Sequence, residues 1–198
     1  MMNALRKTLM NREEFFDWAE AQDIRYEFDG VRPVAMTGGT INHSQITQNI
    51  QFALRTRLAG SGCRPLGPDA GVATTGDAVR YPDALVTCTK APGDARIVPG
   101  VVVVFEVLSP TSGRIDRIEK LREYRAVPSI LRYVIVEHSS IGLVVYERAD
   151  GAEPWRAAAL TDGDVLDMPE IGISLPISEV YESVDFGPGV NVGRTLDR

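Results

Sequence analysis

Cysteine and histidine are scarce in this chain, two of each in 198 residues. Cys63 and Cys88 lack metal-ligand spacing, and two histidines cannot complete a zinc site, so none is expected. Two reduced, buried thiols and a cytoplasmic location are the expectation. No apolar run approaches the roughly 20 residues that cross a bilayer. The N-terminus lacks an apolar signal-peptide core, so neither secretion nor membrane insertion is expected. A basic surplus is also missing: 21 Lys and Arg face 27 Asp and Glu, for a net charge of −6. General attraction to a nucleic-acid backbone usually rests on such a surplus, so any basic surface would have to be local. There is no Gly-x-Ser-x-Gly elbow, internal repeat or obvious linker.

What is present suits one globular domain, with 44% hydrophobic and 24% charged residues. That domain is expected to span 1–198, with its core from about residue 11 to 184 and flexible ends. Asn11-Arg-Glu-Glu14 reads as a capping box opening a first helix to about Ala21. Ile24 to Phe28 and Val31 to Met36 read as a hairpin turning at Asp29-Gly30. Thr40 caps a helix carrying Ile46, Ile50, Ala53, Leu54 and Leu58 on one face. Gly71 to Thr75 and Val79 to Cys88 flank a turn at Gly76-Asp77. Val101 to Leu108 is the most apolar run, followed by a helix capped at Thr111 or Ser112, with Ile115, Ile118, Leu121 and Tyr124 inward. Leu131 to Glu137 returns as a strand, making a right-handed βαβ unit with the two strands parallel. An antiparallel meander over Val144 to Glu147 and Trp155 to Leu160 and a short helix at Ser178 to Ser183 complete an α/β (α+β) fold with a mixed sheet.

Within the Val101 run one residue does not belong. Glu106 interrupts a strand that otherwise reads as buried on both faces, sharing a face with Val102 and Val104. An ionised carboxylate there costs several kcal/mol, roughly, unless a cation compensates it. Asp83, in Tyr81-Pro-Asp83, is a second acid in a β-rich run. If the two strands are neighbours, both carboxylates can project to one point and hold a magnesium ion, which takes hard oxygen ligands and keeps several waters. Lys120, on the following helix, can orient a nucleophile or offset charge on a phosphate. The ordinary alternatives are a structural ion pair for Glu106, a turn for Pro82-Asp83 and a surface pair with Asp116 for Lys120. Glu27 taken alone reads as a solvated strand residue, and His43 as a cap or surface residue.

Taken together, these residues resemble the Uma-two family of putative restriction endonucleases, within the PD-(D/E)XK superfamily. The matching pieces are Arg25-Tyr-Glu-Phe-Asp-Gly30, Met36 followed by His43, Tyr81-Pro-Asp83 and Phe105-Glu-Val-Leu-Ser-Pro110. Asp116-x-x-x-Lys120-x-x-x-Tyr124, Arg132-Tyr-Val-Ile-Val136 and Leu175-Pro-Ile177 to Tyr181 then follow in the family's order. The resemblance implies a restriction-endonuclease-like core with a mixed sheet flanked by helices. It also implies a magnesium site (manganese as substitute) built from Asp83, Glu106 and Glu27. The superfamily's lysine stands two residues after the second acid, where this chain has Leu108. Lys120 is its implied replacement.

These expectations amount to a magnesium-dependent endonuclease that hydrolyses DNA with Asp83, Glu106, Lys120 and Glu27. A homodimer is the simplest way to cut both strands, although no residue indicates one. The alternatives are a catalytically inactive interaction module that keeps the nuclease fold, favoured by Leu108, and a hydrolase of another phosphorylated substrate.

Overall fold

The computed structural model describes residues 10–109 and 114–187. Helix α1, Arg12–Glu20, opens with the expected capping box, Asn11 accepting from the Glu14 N–H and Glu14 from the Asn11 N–H. Such a cap stabilises a helix by about 1 kcal/mol. Strands β1, Tyr26–Phe28, and β2, Pro33–Ala35, pair antiparallel. Their loop is longer than a two-residue turn: the Asp29 carboxylate accepts from the Val31 and Arg32 N–H groups and closes it. Helix α2, Ile41–Arg57, is capped by Thr40 and buries Ile46, Ile50, Ala53 and Leu54.

The run from Val79 to Cys88 is not one strand. Strand β4, Val72–Ala73, and β5, Val79–Arg80, form the hairpin about Gly76-Asp77 and join β1 and β2 in a four-stranded sheet. Strand β6, Ala84–Thr87, belongs to a second sheet. Tyr81-Pro82-Asp83 is the break, because proline has no N–H to continue a ladder. The second sheet adds β3, Arg64–Leu66; β7, Val101–Val107; β8, Arg132–Val136; β9, Leu143–Glu147; and β10, Arg156–Leu160. Its order is β10-β9-β8-β7-β6-β3. As the crossover rule requires, β7 and β8 run parallel, while every other pairing in this sheet is antiparallel.

Helices cover both faces of this mixed sheet. On one face, α2 and α4, Ile177–Val180, pack on Val103, Phe105, Val107, Val134 and Val136. The hairpin of β11, Val165–Met168, and β12, Ile173–Pro176, adds Leu166, Met168 and Leu175. On the other face lies α3, Arg114–Arg125, whose Tyr124 packs with Leu85, Val104, Tyr133 and Ile135. Ile118, expected inward, is 57% exposed. At the head of β7 the register shifts between Val86 and Thr87, and Val101 rather than Val102 joins Val104 in this cluster. The expected caps Thr111 and Ser112, and the Ile115 side chain, lie outside the described residues. A third cluster, Phe15, Phe28 and Val79, seats α1 on the smaller sheet, with the Phe15 and Phe28 rings stacked at 5.0 Å.

The expectation of two free thiols is not met. Cys63 and Cys88 form a disulfide. Cys63 directly precedes β3 and Cys88 follows β6, and the Arg64–Thr87 pairing brings these two flanking positions opposite each other. No helix among the described residues is long and apolar enough to cross a membrane.

Candidate active site

The antiparallel pairing of β6 with β7 sets Ala84 opposite Phe105, so the preceding Asp83 lies across from Glu106. The two strands are neighbours, as a shared site requires. Asp83 is tied to β7 directly: its Oδ2 accepts the Val107 N–H at 2.8 Å. Its Oδ1 lies 3.4 Å from His43 Nε2, on the first turn of α2. Gly39 makes room for that imidazole, since a Cβ there would stand 2.7 Å from ring atoms of His43. The hydrogen bond that His43 donates to Asp83 raises the His43 pKa, opposed by burial and helped by a backbone hydrogen bond to Val107.

Glu106 projects toward α3. Lys120 Nζ donates to its Oε1 and Oε2 at 3.1 and 3.2 Å, and Tyr124 Oη donates to Oε1 at 2.8 Å. Lys120 and Tyr124 are four residues apart and so lie one above the other on the helix. Burial still dominates, and with the added repulsion of Glu27 and Asp83 it pushes the Glu106 carboxyl up to about 7, against the pull of Lys120 and Tyr124. The Tyr124 hydroxyl is itself raised well above its ordinary value, first by burial and then by Glu106.

Glu27 is buried rather than solvated. It reaches the same point from β1, with Oε1 3.4 Å from Lys120 Nζ and accepting the Tyr81 N–H at 3.1 Å. Its Oε2 pairs with Arg80 at 3.2 Å. The structure therefore brings all four expected residues, Glu27, Asp83, Glu106 and Lys120, to the wall of one cavity of about 340 Å³, with His43, Tyr81 and Ser109 beside them. The Asp116 side chain lies outside the described residues.

Sequence reasoning missed three participants. His43 read as a cap, yet the glycine pair before Thr40 is the signal that the chain approaches that helix start closely. Arg80, buried and paired with Glu123 at 2.7 Å, is the other omission with its partner, although it stands among Val79, Tyr81 and Pro82 much as Glu106 stands among valines.

Among the described residues, no three His, Cys, Asp or Glu side chains form a ready-made metal cluster. The donor chemistry nonetheless fits a hard divalent cation. Glu27, Asp83, Glu106 and Glu123 supply four formal negative charges, and Arg80 and Lys120 two positive ones. Burial first, and then the neighbouring Glu27 and Asp83, raise the Glu106 carboxyl.

Residues 12–178 match the family described as putative restriction endonuclease, Uma2. The chain belongs to this family. An uncharacterized protein of Synechocystis sp. is 28% identical over 182 residues, 89% of this chain and 94% of that protein. A crystal structure of a putative nuclease belonging to DUF820 from Anabaena variabilis superposes with a TM-score of 0.69 at 14% identity, covering 87% of this chain and 97% of the other. That likeness shows the fold: this Uma2 protein has a mixed sheet flanked by helices, as in that structure.

Proposed function

We propose that this Uma2 protein is a magnesium-dependent endonuclease that hydrolyses phosphodiester bonds of DNA. The single observation that carries the reading is the meeting of Asp83 and Glu106, from adjacent strand ends, with Lys120 on the next helix, at one cavity wall. The family and the nuclease of like fold agree with it. Asp83 and Glu106 would hold the metal, with water and phosphate oxygens as the remaining ligands. When bound, the ion would supply Lewis acidity and a water of lowered pKa.

The chain's own residues do the positioning. Asp83 is held by the Val107 N–H on one side and His43 on the other, so its carboxylate has little freedom to turn. Lys120 presents an ammonium that can orient an attacking water or offset charge on a phosphate oxygen. Glu27, implied by the family resemblance as a third metal ligand, has Oε1 on the Tyr81 N–H and Lys120 and Oε2 on Arg80. In this proposal it serves the site by holding Lys120. A homodimer would supply two such sites for a duplex.

The test is cleavage of plasmid DNA and of RNA with magnesium or manganese, wild type against Glu106→Gln. Metal-dependent cutting lost in the variant supports the reading; equal cutting by both removes it. A second reading, a non-catalytic interaction module, is favoured by Leu108, which stands where the superfamily lysine would be and is buried in the apolar cluster. Calorimetric titration separates the two, because a folded protein that takes up neither magnesium nor manganese fits only the module.

A further inference from the structure

Helix α3 carries Lys120 but has few apolar side chains with which to fix its own place. Of its residues from 117 onward, Tyr124 is its one buried hydrophobic side chain, Leu121 is partly buried and Ile118 is mostly exposed. Polar contacts of the described residues add to these. Arg80, 2% exposed on β5, makes a two-pronged bond to Glu123 of α3, Nε to Oε2 and Nη2 to Oε1, both at 2.7 Å. Its Nη1 reaches Glu27 Oε2 at 3.2 Å. Thr74 Oγ1, from the same hairpin, donates to Glu123 Oε2 at 3.0 Å.

Glu123 lies three residues beyond Lys120, on the same side of the helix. A guanidinium fork satisfied by one carboxylate fixes both distance and angle, which a lysine in its place would not. Glu27, held by the same guanidinium, is also the second carboxylate that Lys120 faces. Arg80 thus sets two of the coordinates of Lys120: the helix from which it extends and the anion that steadies its tip. Burial opposes the Arg80 charge, but Glu123 and Glu27 raise its pKa, so the guanidinium remains a cation. No atom of Arg80 lines the cavity, so its action on the site runs through α3 and Glu27.

We propose that Arg80 is a positioning residue of the active site, clamping α3 through Glu123 and β1 through Glu27 so that Lys120 meets Glu106. This rests on the nuclease reading for its effect on turnover, but the clamp itself can be measured without it. Two variants test it. Glu123→Gln keeps the shape and removes the charge. The double variant Arg80→Met with Glu123→Leu replaces the pair by apolar groups, a change that buried ion pairs often tolerate in stability.

In the folded variants, magnesium should still bind by calorimetry, because Asp83 and Glu106 are untouched. Displacing a catalytic group by about 1 Å costs roughly 100-fold in rate, so kcat should fall by that order with KM nearly constant. Amide exchange along α3 should quicken while that of β7 and β8 does not. A kcat within about threefold of wild type together with unchanged α3 exchange in either folded variant overturns the proposal. If wild type cuts no nucleic acid, the nuclease reading fails by itself, and α3 exchange alone decides the clamp: quickened supports it, unchanged sinks it. If the double variant does not fold, Glu123→Gln carries the same decision.

Discussion

Lys120 Nζ sits 3.1 Å from Glu106 Oε1 and 3.2 Å from Oε2, joining a helix to a strand 14 residues earlier in the chain. Its charge is the largest influence that lowers the Glu106 pKa against burial. Lys120→Met should therefore raise that pKa further, which a ¹³C NMR titration of the Glu106 carboxyl reads directly. Loss of one preorganised cation should also lower kcat by about 10² to 10³-fold. A Glu106 titration unchanged in the variant would show that the two groups do not interact.

Glu106 also makes stability depend on pH in the less common direction for a carboxylate. Burial pushes its carboxyl up to about 7, above the ordinary glutamate value of 4.5. Between those values the folded chain binds more protons than the unfolded one, so this residue's contribution becomes less favourable as pH rises. The cost is absent below the unfolded value and complete above about pH 7. The change in stability caused by Glu106→Gln in the metal-free protein should then be more favourable at pH 8 than near pH 4.5. Urea midpoints of both proteins at the two pH values measure this, and an equal difference at each would refute it.

Metal uptake should compete with that same proton. Magnesium or manganese affinity is expected to rise from pH 6 to pH 8 and to level off above, with proton release on binding. Calorimetry in two buffers of different ionisation enthalpy counts the protons. Chelation with EDTA should abolish cleavage, and restoring magnesium should recover it.

The disulfide between Cys63 and Cys88 gives a simpler check. The protein unfolded without reductant should show no titratable thiol. Reduction should lower stability by about 2 to 4 kcal/mol, the usual range for a cross-link. Two free thiols in the unreduced protein would contradict the pairing.

The sequence made the β7-α3-β8 unit legible because its period changes so sharply, from continuous valines to a helical pattern and back. The caps at Asn11 and Thr40 were equally readable, since both use local side-chain chemistry. Strand β3 was not, being three residues long with Pro65 inside it. It is tolerated because β3 is the last strand of its sheet, where a missing N–H can face outward. The β11–β12 hairpin escaped notice because each strand is only four residues long, and its buried side chains pack in the cluster that α2 and α4 share. Of the site, Glu106 and Asp83 could be read from the chain because charge in an apolar run is conspicuous. The surroundings of Glu27 could not: its burial depends on Arg80, and that pairing spans 53 positions. The cysteine partnership was likewise hidden, since it follows from a strand register that spacing does not encode.

The Arg80–Asp83 tetrapeptide is where the smaller sheet hands the chain over to the larger one. Within those four positions one side chain grips a helix, one amide holds a glutamate and one carboxylate docks on the neighbouring strand. The stretch acts as a ruler. Lengthening it by a single residue would leave each sheet intact but put the acid and the lysine out of step with each other.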